Sequence, residues 1–131
     1  MEIALYHRTS KEKAESIMKN GFRLPDESGR WGKGIYFATT DNWQISSFGN
    51  TVIKVVVDSQ DIFSRRYELI ARDYDLDLEE PEGYTHMDEF VTRILGYKGI
   101  AIDYENNEYE DIEVCIYDTS ILLGIQILSC E

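Results

Sequence analysis

The sequence predicts an α+β fold of two packed, mainly antiparallel β-sheets flanked by short helices, in one domain spanning 1–131. Three observations predict it. Short β-rich runs crowd both ends of the chain, helical stretches lie between them, and no repeat or composition break divides the 131 residues. A chain of this length suits one domain with one buried core. Its 43% hydrophobic content is that of an ordinary globular protein.

Ile3-Ala4-Leu5-Tyr6 reads as a first strand. Ser10 then offers a helix N-cap, and Lys11 to Asn20 follows with Ala14, Ile17 and Met18 on one face. Gly21 stops that helix because it tolerates a left-handed backbone. Residues 23–34 form a loop, and Gly34-Ile35-Tyr36-Phe37-Ala38 is the second strand. Thr40 or Asp41 caps a brief helix ending at Gly49, and the Val/Ile-rich run Thr51 to Val57 is strongly β. The acidic stretch 72–83, broken by Pro81 and Gly83, reads as a surface loop. Met87 to Leu95 is an amphipathic helix with Gly96 just past its end. Gly99 to Tyr104, Ile112 to Tyr117 and Leu122 to Leu128 are three further strands, the first two joined through a turn at Asn106-Asn107.

Charge is unevenly spread. Residues 1–66 hold ten Lys/Arg against eight Asp/Glu, a net of +2, whereas residues 67–131 hold three against seventeen, a net of −14. Phosphate neutralisation needs Lys and Arg, so the second half argues against non-specific nucleic-acid binding. An acidic surface of this kind keeps a protein soluble and attracts a basic partner. Two cysteines, Cys115 and Cys130, are too few for a disulfide framework, and with two histidines a metal site is not expected. No apolar run reaches the roughly 18–20 residues of a membrane span, and Met1-Glu2-Ile3-Ala4 lacks the pattern of a signal peptide. A cytoplasmic, reduced setting is the expectation.

Three segments carry the chemistry: Leu5-Tyr6-His7-Arg8-Thr9-Ser10, Trp31-Gly32-Lys33-Gly34-Ile35-Tyr36-Phe37-Ala38, and Glu113-Val114-Cys115-Ile116-Tyr117-Asp118. Each is ordinary alone; their order and local contexts give them weight. Together they resemble the catalytic domain of the poly(ADP-ribose) polymerase-like ADP-ribosyltransferases of the His-Tyr-Glu class, in a size that suits a small bacterial or phage member. His7-Arg8-Thr9 stands where that family has His-Gly-Ser/Thr, followed by a helix ending in Gly21-Phe22-Arg23. The second segment is the most specific match, and the third resembles the family's Glu opening a strand that ends in Tyr-Asp. The resemblance runs from residue 3 to 128 in order but is dense over only about thirty residues.

What the resemblance implies is an NAD⁺-binding cleft between the two sheets. His7 would hydrogen-bond a ribose hydroxyl, the backbone of Arg8 would hold the nicotinamide carboxamide, and Thr9 would support the same loop. Tyr36 would stack on the nicotinamide ring, since an aromatic face suits a flat cation. Glu113 would bind the ribose 2′-hydroxyl and favour the positive charge that develops as the nicotinamide–ribose bond breaks. Arg23 would meet the adenosine side of NAD⁺, and either Trp43 or Phe48 would supply a second aromatic against nicotinamide. Arg8 replaces the family's Gly, which is harmless if its side chain points away and φ stays negative. Glu110 and Asp111 compete with Glu113 for the acidic role; Glu113 is preferred because Tyr117-Asp118 follows at the matching distance. The implied activity is transfer of one ADP-ribose from the substrate NAD⁺ to a macromolecule, expected to be a protein; the acidic second half separately suggests an acceptor with a basic surface, such as that of a nucleic-acid-binding protein. The alternatives on the same scaffold are an NAD⁺ glycohydrolase and a non-catalytic acidic binding or inhibitor module.

Overall fold

A computed structural model describes residues 1–27, 31–39, 51–66, 69, 72, 87–103 and 112–130. The strands are β1 (Glu2–Thr9), β2 (Ile35–Ala38), β3 (Thr51–Asp58), β4 (Ile62–Arg66), β5 (Gly99–Asp103), β6 (Glu113–Ile116) and β7 (Leu123–Cys130). They form a single sheet in the order β4-β5-β6-β2-β1-β3-β7, antiparallel except for the pair β4–β5. The α+β class holds. The expected division into two sheets does not, because β1 and β2 share one paired position, Tyr6 opposite Ala38, and that pairing joins two ladders into one. On one side of the seam β1 pairs along its whole length with β3; on the other β2 pairs along its whole length with β6.

Strand alternation sorts the apolar side chains onto two faces. Leu5, Phe37, Ile53, Val55, Val57, Val114 and Ile116 build one core cluster beneath helix α1 (Lys11–Asn20). Trp31, Phe63, Ile100, Ile102, Cys115 and Tyr117 build the other with Met87 and Val91. Burying each large aliphatic or aromatic side chain contributes about 1.5–3 kcal/mol, so both faces hold the sheet in place.

Helix α1 has the expected bounds. Ser10 Oγ accepts from the amide of Lys13, and Glu12 and Lys19 complement the helix dipole at opposite ends. Ala14 is fully buried, which lets the helix lie close to β3, but Met18 is 45% exposed and leaves the expected apolar face. Gly21 ends the helix at φ 83 and ψ 171, a positive-φ but not left-handed-helical conformation, while its amide bonds to Ile17 O. A further helix, α2, is α-helical only over Met87–Glu89 and continues as a π-helix over Phe90–Leu95. That wide turn lets Phe90 and Leu95, five residues apart, pack on the same cluster. Gly96 closes it at φ 80, as its position after the apolar run implied.

β4 was not legible as a strand. Its parallel pairing with β5 requires a crossover, which residues 67–98 supply, and a five-residue Ile-Phe-Ser-Arg-Arg run has no pattern of its own. β5 and β6 pair antiparallel as expected. The proposed Asn106-Asn107 turn, the helix begun by Thr40 or Asp41, and the acidic loop beyond Arg72 lie outside the described residues. Among the described residues, no helix is long and apolar enough to cross a membrane.

Candidate functional site

The seam between β1 and β2 is where the chain opens. Beyond the Tyr6–Ala38 pair, His7, Arg8 and Thr9 have no partner in Phe37, Tyr36 and Ile35, although a continued antiparallel ladder would match them. The imidazole of His7 spans the gap: Nδ1 lies 2.8 Å from the carbonyl oxygen of Tyr36. A carbonyl only accepts, so Nδ1 carries the proton, and neutral His7 keeps Nε2 as an acceptor. The ring stands edge-on to Phe22 (centroids 5.6 Å apart) and tilted against Phe37 (5.4 Å). Burial there lowers the His7 pKa; the bond to Tyr36 opposes the shift, and the nearby Lys13 charge adds to it.

Tyr36 alternates to the other face, opposite Cys115 of β6. Its hydroxyl accepts from the amide of Trp31 at 2.8 Å and donates to Gly32 O at 3.3 Å, so the ring is tied to the loop ahead of its own strand. Burial, reinforced by Cys115, raises its pKa and keeps the phenol neutral. Glu113 opens β6 opposite Ala38, whose small side chain leaves space beside the carboxylate. Its entry is fixed by a reciprocal pair just before it: Ile112 N–H donates to Thr39 Oγ1 (3.0 Å), and Thr39 N–H to Ile112 O (3.2 Å). Pairing of Tyr36 with Cys115 and of Ala38 with Glu113 puts Tyr36 and Glu113 on one face of the β2–β6 ladder.

His7 faces the opposite side by strand parity, toward Phe37. The opened seam nonetheless brings all three residues to the wall of one cleft of about 1050 Å³. Arg8, Thr9 and Arg23 line it too, as do Lys13, Phe22 and Phe37, which sequence patterns did not single out. Three of its lining cations, Arg8, Lys13 and Arg23, sit in a protein with 25 acidic and 13 basic residues, so the cleft reverses the overall charge bias. Arg8 belongs to β1 and pairs with Val52, so its backbone is extended and nothing there requires a glycine. Thr9 is buried, opposite buried Thr51.

No protein-family model matches the chain, and no curated protein matches it.

The glycines of the second segment have steric reasons. A Cβ on Gly34 would lie 2.8 Å from Ile116 O and 2.9 Å from the Tyr117 ring; one on Gly32, at φ 99, would lie 2.7 Å from a carboxylate oxygen of Asp88. Both allow the Trp31–Gly34 loop to press onto β6 and α2. Trp43, Phe48, Glu110 and Asp111 lie outside the described residues. The signal missed in the sequence was Phe22: its aromatic character after the helix-ending Gly21 matches the packing needs of a buried imidazole.

Proposed function

We propose that the protein is a mono-ADP-ribosyltransferase that takes NAD⁺ as substrate, releases nicotinamide and passes ADP-ribose to a protein acceptor. The observation that carries it is the opened β1–β2 seam, where His7, Tyr36 and Glu113, drawn from three distant segments, line one cleft. At about 1050 Å³ the cleft is slightly larger than the roughly 300–1,000 Å³ of small-molecule and cofactor sites. Its cations suit a ligand with two phosphates, and its aromatic and acidic groups suit a flat cationic ring beside a ribose. The arrangement of two ladders about a cleft is, in this proposal, that of an ADP-ribosyltransferase.

In that reading Tyr36 offers a fixed ring to nicotinamide, because its hydroxyl is held by Trp31 and Gly32. Glu113 stabilises the positive charge on the ribose as the bond to nicotinamide lengthens; a carboxylate in a cleft shielded from water does this more strongly than one in solvent. His7 accepts a ribose hydroxyl through Nε2 while Nδ1–H keeps the seam bridged. Arg8 and Arg23 neutralise phosphate oxygens. The acidic second half draws a basic acceptor toward the protein without entering the chemistry.

Incubation of the protein with NAD⁺ and a lysate of basic proteins, followed by assay of free nicotinamide and mass spectrometry of the acceptors, tests the proposal. Nicotinamide release with a mass increment of one ADP-ribose on a protein is the expected result. Release with only free ADP-ribose would make water the acceptor, and no release would remove the enzymatic reading.

A further inference from the structure

The Trp31–Gly32 dipeptide is gripped from two strands at once. From β2, the Tyr36 hydroxyl accepts from Trp31 N–H (2.8 Å) and donates to Gly32 O (3.3 Å). Just past the end of β6, the Tyr117 hydroxyl donates to Trp31 O at 2.5 Å, an 86-residue separation in sequence. Trp31 is fully buried and Tyr117 is 6% exposed, so no bulk water competes for that bond. Burial pushes the pKa of the Cys115 thiol up to about 12, so it stays a neutral thiol. Tyr117 does not line the cleft; Tyr36 does.

We infer that Tyr117 is a positioning residue for the cleft: by holding the Trp31 carbonyl it fixes the Trp31 amide, and through that amide the Tyr36 ring. This rests on the reading of Tyr36 as a platform for nicotinamide. The Trp31 residue is the link. Its N–H and C=O belong to two successive planar peptide groups that meet at its Cα, and its fully buried indole holds that Cα, so a tilt of one plane is passed to the other. Two hydroxyls at the two ends of one buried residue leave the loop little freedom to move the phenol ring. A loosened loop would let the ring swing out of the stacking plane, which weakens substrate binding and leaves the bond-breaking group, Glu113, in place. The expected signature is therefore a rise in KM with kcat nearly unchanged.

The test is a cycle of Tyr117→Phe, Tyr36→Phe and the double variant. Each single variant keeps its ring and loses one hydroxyl. Tyr117→Phe is expected to raise KM for NAD⁺ about 5-fold, the effect of one neutral hydrogen bond, with kcat within about 2-fold of wild type. The double variant is expected to fall short of the product of the two singles, because both act on one link. Independent effects on KM, or equal losses in kcat, would overturn the inference. Hydrogen exchange at the Trp31 amide gives a readout without NAD⁺: Tyr117→Phe is expected to speed it about tenfold. Unchanged exchange overturns the clamp whether or not the protein uses NAD⁺. Faster exchange in Tyr117→Phe, together with a wild type that never binds NAD⁺, would remove the nicotinamide reading and keep the clamp. If Tyr117→Phe fails to fold by circular dichroism, Tyr36→Phe alone decides: wild-type KM and wild-type Trp31 exchange would overturn the linkage.

Discussion

Glu113 stands among acidic neighbours, with Glu110 and Asp111 just before it. Its distinction is position: it sits beside Tyr36 on one ladder face, and the Thr39–Ile112 pair pins the chain at its entry. Glu113→Gln keeps the side chain's size and hydrogen bonding but removes the charge, so nicotinamide release is expected to fall about 10²–10³-fold while NAD⁺ still binds. The companion Glu110→Gln is expected to stay active; equal damage from both would place the carboxylate elsewhere. His7 makes a second prediction, in pH. Burial holds its folded pKa below the ordinary 6.5, so protonation favours the unfolded chain. The stability it contributes is complete above about pH 6.5 and is lost as pH falls from there through the folded value. Melting temperature is expected to drop between pH 7 and 5 more steeply in wild type than in His7→Asn, whose amide keeps a donor for Tyr36 O but does not titrate. Parallel slopes in the two proteins would show that His7 is not the group responsible. These residue types were legible in the sequence through their motifs. Their partners were not: Phe22 and Phe37 meet His7 only across the fold, and the tie of Tyr36 to the Trp31 amide depends on the path of the loop between them.

At the scale of elements, α1 was legible almost to the residue because local chemistry marks both ends: Ser10 as a hydroxyl cap and Gly21 at positive φ. β4 was invisible because a parallel edge strand is specified by a distant partner, β5, and not by its own pattern. The continuous sheet was also hidden, since one paired position between β1 and β2 decides between one sheet and two, and no local pattern encodes it. The loop from Trp31 to Gly34 gives a prediction at this scale. Gly34→Ala places a methyl group against the Ile116 carbonyl, a backbone atom that cannot rotate away. A loss of about 1–3 kcal/mol is expected, read as a lower urea midpoint, with little change in the slope of the transition. A wild-type midpoint would mean that β2 and β6 can separate at this point without loss.

For the whole molecule, the charge division read from the sequence places +2 in residues 1–66 and −14 in residues 67–131. The cationic lining of the cleft comes from the first part, through Arg8, Lys13 and Arg23. Charges more than about 8 Å from a site are largely screened at physiological salt, so acidic residues away from the cleft act on encounter and not on turnover. Replacing Asp73, Asp75, Asp77, Glu79 and Glu80 by their amides is expected to slow modification of a basic acceptor, most at low salt, and to leave NAD⁺ hydrolysis unchanged. Acceptor modification indifferent to both the substitutions and salt would reduce this stretch to a solvated surface.

The strand order has a consequence for the timing of synthesis. β6, made late, inserts between β5 and β2, while β7, made last of the strands, lies against β3. Pairings between such distant segments form slowly and only after both have been made. A ribosome-bound chain that has emerged through β3 already carries His7 and Tyr36 but has not yet made Glu113. The complete set of cleft residues comes together only when β6 has left the ribosome and entered the sheet. A nascent chain, or one truncated before β6, therefore lacks Ile112 and Glu113 of the cleft wall, which is completed late in the molecule's own production.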